Sequence, residues 1–185
     1  MAKRYTEEDY ALELRQILVE DLGELQDSVE DFCGKGSMQP LIKECILVGP
    51  PTYQLMDIML FIEPGTVSHP GRVLRAGTET GLDGEDYQVW ARDVVGELAL
   101  IPQARMAPDF AGIHAATRVV MRLTAAIDRI MLRYVGHAGW WPVQWNPTIT
   151  PVEGFVAVGS GDTVAARRIP INIKMKEFVD TSPQV

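Results

Sequence analysis

The chain has 185 residues, 46% of them apolar, and a formal net charge of −8 at pH 7. That length is most simply one domain over 1–185 with a sizeable core, and the apolar share excludes a mostly disordered chain. The acidic balance argues against a dedicated duplex-DNA reader, which presents a net basic domain.

The opening MAKRYTEEDY is too polar for a secretory leader. A helix is predicted from about 7 to 32, with Thr6 as its N-cap and Asp9 as the capping-box acid. Leu14, Ile17, Leu18, Leu22, Leu25 and Val29 give it an apolar stripe, and Gly34 and Gly36 end it. Acids crowd both ends, which suits the N-terminus and strains the C-terminus through the helix dipole. Residues 46–48 read as a short strand stopped by Gly49-Pro50-Pro51. The run 55–62 is apolar except for Asp57. Its length and the following Pro64-Gly65 predict a buried strand.

Segment 65–86 carries glycines at 65, 71, 77, 81 and 84. It reads as an extended loop, or as a hairpin around Val73-Leu74. Tyr87, Val89 and Ala91 then alternate as a strand does, and 94–100 reads as a further strand or a short helix, closed by Pro102 and Pro108.

The clearest helix is predicted over 111–135, capped by Asp109. Ile113, Val120, Ile127 and Tyr134 recur every seventh position, with Ala116, Leu123 and Ile130 as the companion row. Arg118, Arg122, Arg129 and Arg133 fall within an arc of about 60° on roughly the opposite side. After Gly136 comes a Trp/Pro-rich arm over 136–151 with Trp140, Trp141 and Trp145. Residues 155–158 read as a short strand and 159–162 as a turn. Ile169, Ile171, Ile173 and Met175 alternate with Pro170, Asn172, Lys174 and Lys176 in a closing strand. Pro170 predicts an edge or an entry point there, and the two lysines are a usual guard on an exposed edge. The fold class expected is α+β. A mixed or antiparallel sheet is flanked by the N-terminal helix and the long amphipathic helix.

Charge is placed unevenly. Residues 1–31 hold ten acids against Lys3, Arg4 and Arg15. Residues 104–135 reverse the sign, with five arginines against Asp109 and Asp128. Such a chain can bind copies of itself head to tail, although separate solvated faces give the same pattern.

Motifs for chemistry are missing from the sequence. His69, His114 and His137 have no close His or Cys neighbour, so no zinc spacing arises. Asp83-Gly84-Glu85-Asp86 reads as a solvated turn, since it lacks the ligand pattern of a calcium loop. No phosphate-binding glycine motif occurs, and the glycine-rich segment is acidic. Ser160 lies in a Gly-Ser-Gly turn rather than a nucleophile elbow. Cys33 and Cys45 have no evident His partner and suit a reducing compartment. No catalytic residue, cofactor site or metal site is assigned, and no apolar run reaches the roughly 20 residues of a membrane span.

Interaction candidates are therefore Arg118, Arg122, Arg129, Arg133, Trp140, Trp141 and Trp145. The arginine row admits three readings: a solvated face, a contact with an acidic surface such as the first helix of another copy, or the lining of a channel for DNA. The tryptophans read as a cap folded over the core or as an arm packing on a neighbouring subunit.

Several features together carry a family resemblance. They are the N-terminal amphipathic helix, Ile46-Leu47-Val48-Gly49-Pro50-Pro51 leading to Ile58-Met59-Leu60-Phe61-Ile62-Glu63-Pro64-Gly65, the long loop, the late helix and a terminal strand over 168–178. This order resembles the tail terminator and tail-completion proteins of tailed bacteriophages. The resemblance is architectural, and head-closure or adaptor subunits of the neck share it. It implies a non-enzymatic virion protein, made in the host cytoplasm, that forms a ring, commonly a hexamer, at the head–tail junction. Its partners would be tail-tube and other neck proteins, with non-specific DNA contact in the channel and no membrane. An enzyme of unrecognised type and a monomeric binding module for an acidic ligand are the alternatives of other classes.

Overall fold

A computed structural model describes residues 7–34, 39–51, 56–68, 74–80, 84–106, 110–134, 150–151 and 163–180. The chain is α+β. Helices α1 (Glu7–Glu20) and α2 (Leu22–Cys33) lead through a 3₁₀ turn, Lys43–Cys45, into β1 (Ile46–Val48). Strands β2 (Ile58–Ser68), β3 (Leu74–Thr80) and β4 (Asp86–Met106) follow. Helix α3 (Phe110–Tyr134), β5 (Thr150–Pro151) and β6 (Thr163–Asp180) complete the order.

The sheet is built around β4. On one edge β4 carries β2, paired over Ile58–Ser68 against Val95–Ala104, and then β3 against Asp86–Ala91. On the other edge it carries β6 in one antiparallel register from Val89↔Asp180 to Met106↔Thr163, with no pair recorded at Ile101 and Pro102. β1 joins β2 in parallel, and β5 pairs with Arg167 and Arg168 of β6. At about 3.4 Å per residue a strand of this length reaches roughly 70 Å. Its buried helix-facing residues are Leu98, Leu100 and Ala104. The half nearer Asp86 forms a three-stranded ribbon with β3 and the end of β6, and most of its described side chains, Val89 excepted, are exposed or half-buried.

The helices lie on one face of the sheet. α1 packs on β1 and β2, α3 packs on β4 and β6, and α2 packs on α3. Between them sit Leu14, Leu18, Leu25, Leu60, Ile62, Leu100, Leu123, Ile127 and Ile169, all fully buried. The predicted stripe of α3 is this buried face: Ala116, Val120, Leu123, Ile127 and Ile130 are at most 1% exposed. A second buried cluster, Met59, Phe61, Ala99, Ile101 and Ala166, occupies the opposite sheet face. The 2.0 alternation of strands assigns Met59 and Phe61 to one side and Ile58, Leu60 and Ile62 to the other.

Four sequence expectations differ from the observed elements. The single helix expected over 7–32 is broken at Asp21, where φ −98° and ψ 21° leave helical geometry. Backbone bonding continues across the break, with Asp21 N donating to Ile17 O and Leu25 N to Asp21 O. The kink lets α1 follow the sheet while α2 follows α3. The stop expected at Pro64-Gly65 is a passage. β1 pairs only with Leu60–Ile62, so Pro64 stands where the outer edge of β2 needs no N–H donor. A register shift between Pro64 and Val67 then absorbs one extra residue. Residues 94–100, read as strand or short helix, are strand, and β4 runs through Pro102 to Met106. The hairpin in the glycine-rich segment turns after Thr80, later than Val73-Leu74. The Trp/Pro-rich arm up to Ile149 and the strand expected at 155–158 lie outside the described residues.

Two polar contacts close the ends of the sheet. Asp57, the one charge in the predicted apolar run, lies just before β2 and faces Arg105, Oδ1 to Nη2 3.6 Å; the Arg105 N–H donates to Asp57 O at 2.7 Å. Arg15 of α1 reaches the outer edge of β1, donating through Nε to Ile46 O at 2.8 Å and through Nη2 to Lys43 O at 3.1 Å.

Gly65 shows where space is tightest. A Cβ there would stand 2.0 Å from the Glu97 carbonyl oxygen of β4, which is backbone and cannot swing aside. Gly65→Ala should therefore lower the melting temperature, by about 4–10 °C for a cost of roughly 1–3 kcal/mol. Thermal unfolding followed by circular dichroism checks this, with Gly77→Ala, where a Cβ meets nothing within 4 Å, as the matched control.

Candidate functional site on the long helix

Of the seven interaction candidates, the four arginines are described and Trp140, Trp141 and Trp145 lie outside the described residues. Helical periodicity fixes the arginines to one side of α3, and the fold puts α2 along that side. The two helices run antiparallel. Arg118 meets Phe32, Arg122 O accepts from Ser28 Oγ at 3.0 Å, Arg129 meets Glu24, and Arg133 meets Asp21 and Glu24. Each contact steps down one helix as it steps up the other.

The strongest polar contacts gather at the end where α2 begins and α3 finishes. Arg133 donates from Nη1 to Glu24 Oε2 at 2.5 Å and from Nη2 to Asp21 Oδ1 at 2.8 Å. Arg129 Nε donates to Glu24 Oε1 at 3.0 Å. One carboxylate is thus shared by two guanidinium groups, a charge-assisted network rather than an isolated surface pair. Helix dipoles add to it, since Asp21 and Glu24 flank an N-terminus and Arg133 lies in a last turn. The Arg133 hydrogen bond holds the Glu24 carboxyl below its ordinary value. Partial burial opposes this, and Arg129 reinforces it. Glu24 raises the Arg133 pKa in return. Burial, then the Asp21 and Glu20 carboxylates, push the Tyr134 phenol up, and its O–H donates to Glu20 Oε2 at 3.5 Å.

The other end of the row is differently used. The Arg118 guanidinium sits 4.4 Å from the centroid of the Phe32 ring, a cation–π contact. Arg122 is exposed, and its guanidinium has no partner among the described residues. The row therefore divides. Arg129 and Arg133 fasten α2 to α3, Arg118 lies over an aromatic ring, and Arg122 faces solvent. Beside the arginines runs a second row that charge reading missed, Met121, Ala125 and Leu132, all exposed, with Met121 at 48% and Leu132 at 54%. The signal was present in the sequence, since these residues follow the same helical period at positions outside the buried stripe.

Elsewhere, Arg168 and Glu63 form an ion pair between β6 and β2. Among the described residues no group of three or more His, Cys, Asp or Glu could hold a metal ion. Cys45 is buried, and burial pushes the Cys33 thiol up, which favours the unreactive protonated form. No helix among the described residues is long and apolar enough to cross a membrane. No family model matches the chain, and a search of curated proteins gave no match.

The Glu24 network gives a signed pH dependence. Its folded-state pKa is depressed, so its contribution is present above the unfolded value of about 4.3 and fades as pH falls through the folded value. Glu24→Gln should lower the melting temperature by roughly 2–4 °C at neutral pH, and the gap to wild type should narrow progressively as pH falls below about 4.3. Paired thermal melts across that range decide it, and a gap that persists at the acid end would rule out the charged carboxylate as the source.

Proposed function

We propose that this chain is a structural subunit of a tailed-phage virion, a tail terminator or tail-completion protein that forms a ring at the head–tail junction. The observation that carries the reading is the order of elements around the sheet. Paired N-terminal helices lead into a short parallel strand, then a long antiparallel hairpin, a long amphipathic helix and a closing strand that pairs along the length of the hairpin. The resemblance to neck proteins rests, in the sequence, on an N-terminal helix, the stretch 46–65, a long loop, a late helix and a terminal strand, and the helices and strands of that series are present in this order. Two further features support it. Exposed apolar side chains stand next to unspent charge on α3, as an assembly surface requires. The ribbon of β3, β4 and β6 reaches beyond the helical layer and offers contact area to neighbouring rings.

On this reading the protein works without catalysis or a cofactor. Its partners are further copies of itself, most simply six, together with tail-tube and head-closure or adaptor subunits. The channel of the ring would carry DNA, with arginines supplying sequence-independent contact to phosphates. Its working location is the virion neck.

Native mass spectrometry of the purified chain tests the proposal. The expected species is a closed oligomer near 123 kDa, six copies of a 20.5 kDa subunit, visible as a ring by negative-stain microscopy. A chain that stays monomeric at every concentration and salt, and that does not bind tail-tube ends, would overturn it.

A further inference from the structure

Two exposed helix faces of opposite character lie at the two ends of the helical layer. α1 covers the β1–β2 end of the sheet and α3 the β4–β6 end. On α1 the outward side carries Leu12, 48% exposed, among Glu8, Glu13, Gln16 and Glu20. On α3 it carries Met121 and Leu132 beside Arg118 and Arg122.

We propose that these faces bind each other between copies, the acidic outer face of α1 on one subunit seating on the apolar–basic outer row of α3 on the next. The inference rests on the ring reading and names the surfaces that would build the ring. Three observations carry it. The charges are complementary, and α2 has not consumed them. Arg129 and Arg133 are committed to Glu24 and Asp21 within the chain, whereas Arg122 has no partner among the described residues and Arg118 has only the Phe32 ring. Each face also has its own exposed apolar anchor, so that docking removes Leu12, Met121 and Leu132 from water together. The lengths agree as well. From Glu8 to Glu20 and from Arg118 to Leu132 the helices rise about 18 and about 21 Å at 1.5 Å per residue.

In the ring the contact repeats head to tail from copy to copy and is heterologous. Every subunit added leaves one α1 face and one α3 face open until the ring closes. A two-fold dimer that sets each α1 face on the other copy's α3 face satisfies the same contacts, so the measured mass separates it from a ring.

The test uses the full chain and reads its mass at low and moderate salt. Arg118→Glu/Arg122→Glu and Glu8→Lys/Glu13→Lys should each raise the subunit dissociation constant at least about 100-fold, while a chain carrying all four changes should return to within about tenfold of wild type. Leu12→Asp and Met121→Asp alter exposed anchors outside any ion pair and should give the same loss, with thermal melts showing that the monomer remains folded. If the wild type forms a ring and all these variants assemble as tightly, this docking is overturned and the ring reading stands. If the paired reversals dissociate the ring and the fourfold change fails to restore it, the two faces do not meet each other, and the docking is again overturned. A wild type that stays monomeric overturns the docking, and one that also fails to bind tail-tube ends overturns the ring reading with it.

Discussion

The antiparallel ladder between β4 and β6 is the constraint on which the other layers depend. It keeps one register from Met106 to Val89, so each residue of β4 has a fixed side of the sheet. Leu98, Leu100 and Ala104 then face the helices, while Ala99 and Ile101 face the second cluster. A slip by one residue would exchange these sets and put apolar residues of both clusters on the wrong sides. The irregularities are placed elsewhere. The shifts that accommodate extra residues lie in β2 and β3, on the opposite edge of β4.

From that frame the candidate surface follows by subtraction. The sheet buries one stripe of α3, and α2 covers the flank that carries the arginines. Among the described side chains of α3, Met121, Ala125 and Leu132 stay exposed beside the four arginines, of which Arg129 and Arg133 are held in ion pairs by α2 and Arg118 and Arg122 are not. The basic character of α3 therefore has two roles. Near its C-terminus it joins helices within the chain. Further toward its N-terminus it stays available to a partner, and a mutation in each half should read out on a different property: stability in one, association in the other.

How much of this was legible in the sequence depends on how far each signal reaches. The centre of the buried stripe of α3 was legible, because its period is a local property that Ala116, Val120, Leu123, Ile127 and Ile130 obey, whereas its margins Val119, Ala126 and Met131 were not read and Tyr134 is only half-buried. The position of the four arginines was legible for the same reason. Their partners were not, since Glu24 lies 105 and 109 residues away from Arg129 and Arg133, and periodicity says nothing about which helix becomes a neighbour. β4 was only half legible, because Pro102 reads locally as a breaker, although pairing with Leu60 of β2 carries the strand through it. The kink at Asp21 was hidden by an apolar stripe that continues across it, with Leu18 on one side and Leu25 on the other. The tryptophan candidates lie beyond the described residues, so the structure bears on the arginine part of the site alone.

The contacts of Arg15 also order events in time. It reaches Ile46 over 31 residues of chain, whereas α2 waits for arginines more than a hundred residues downstream. During synthesis the parallel pair of β1 and β2 can thus form, and have its open rim capped by a guanidinium, well before the long helix exists. An uncapped rim is a template for another nascent chain on the same messenger. The Arg15 guanidinium occupies the Ile46 carbonyl of that rim, and both partners are written into the first third of the polypeptide.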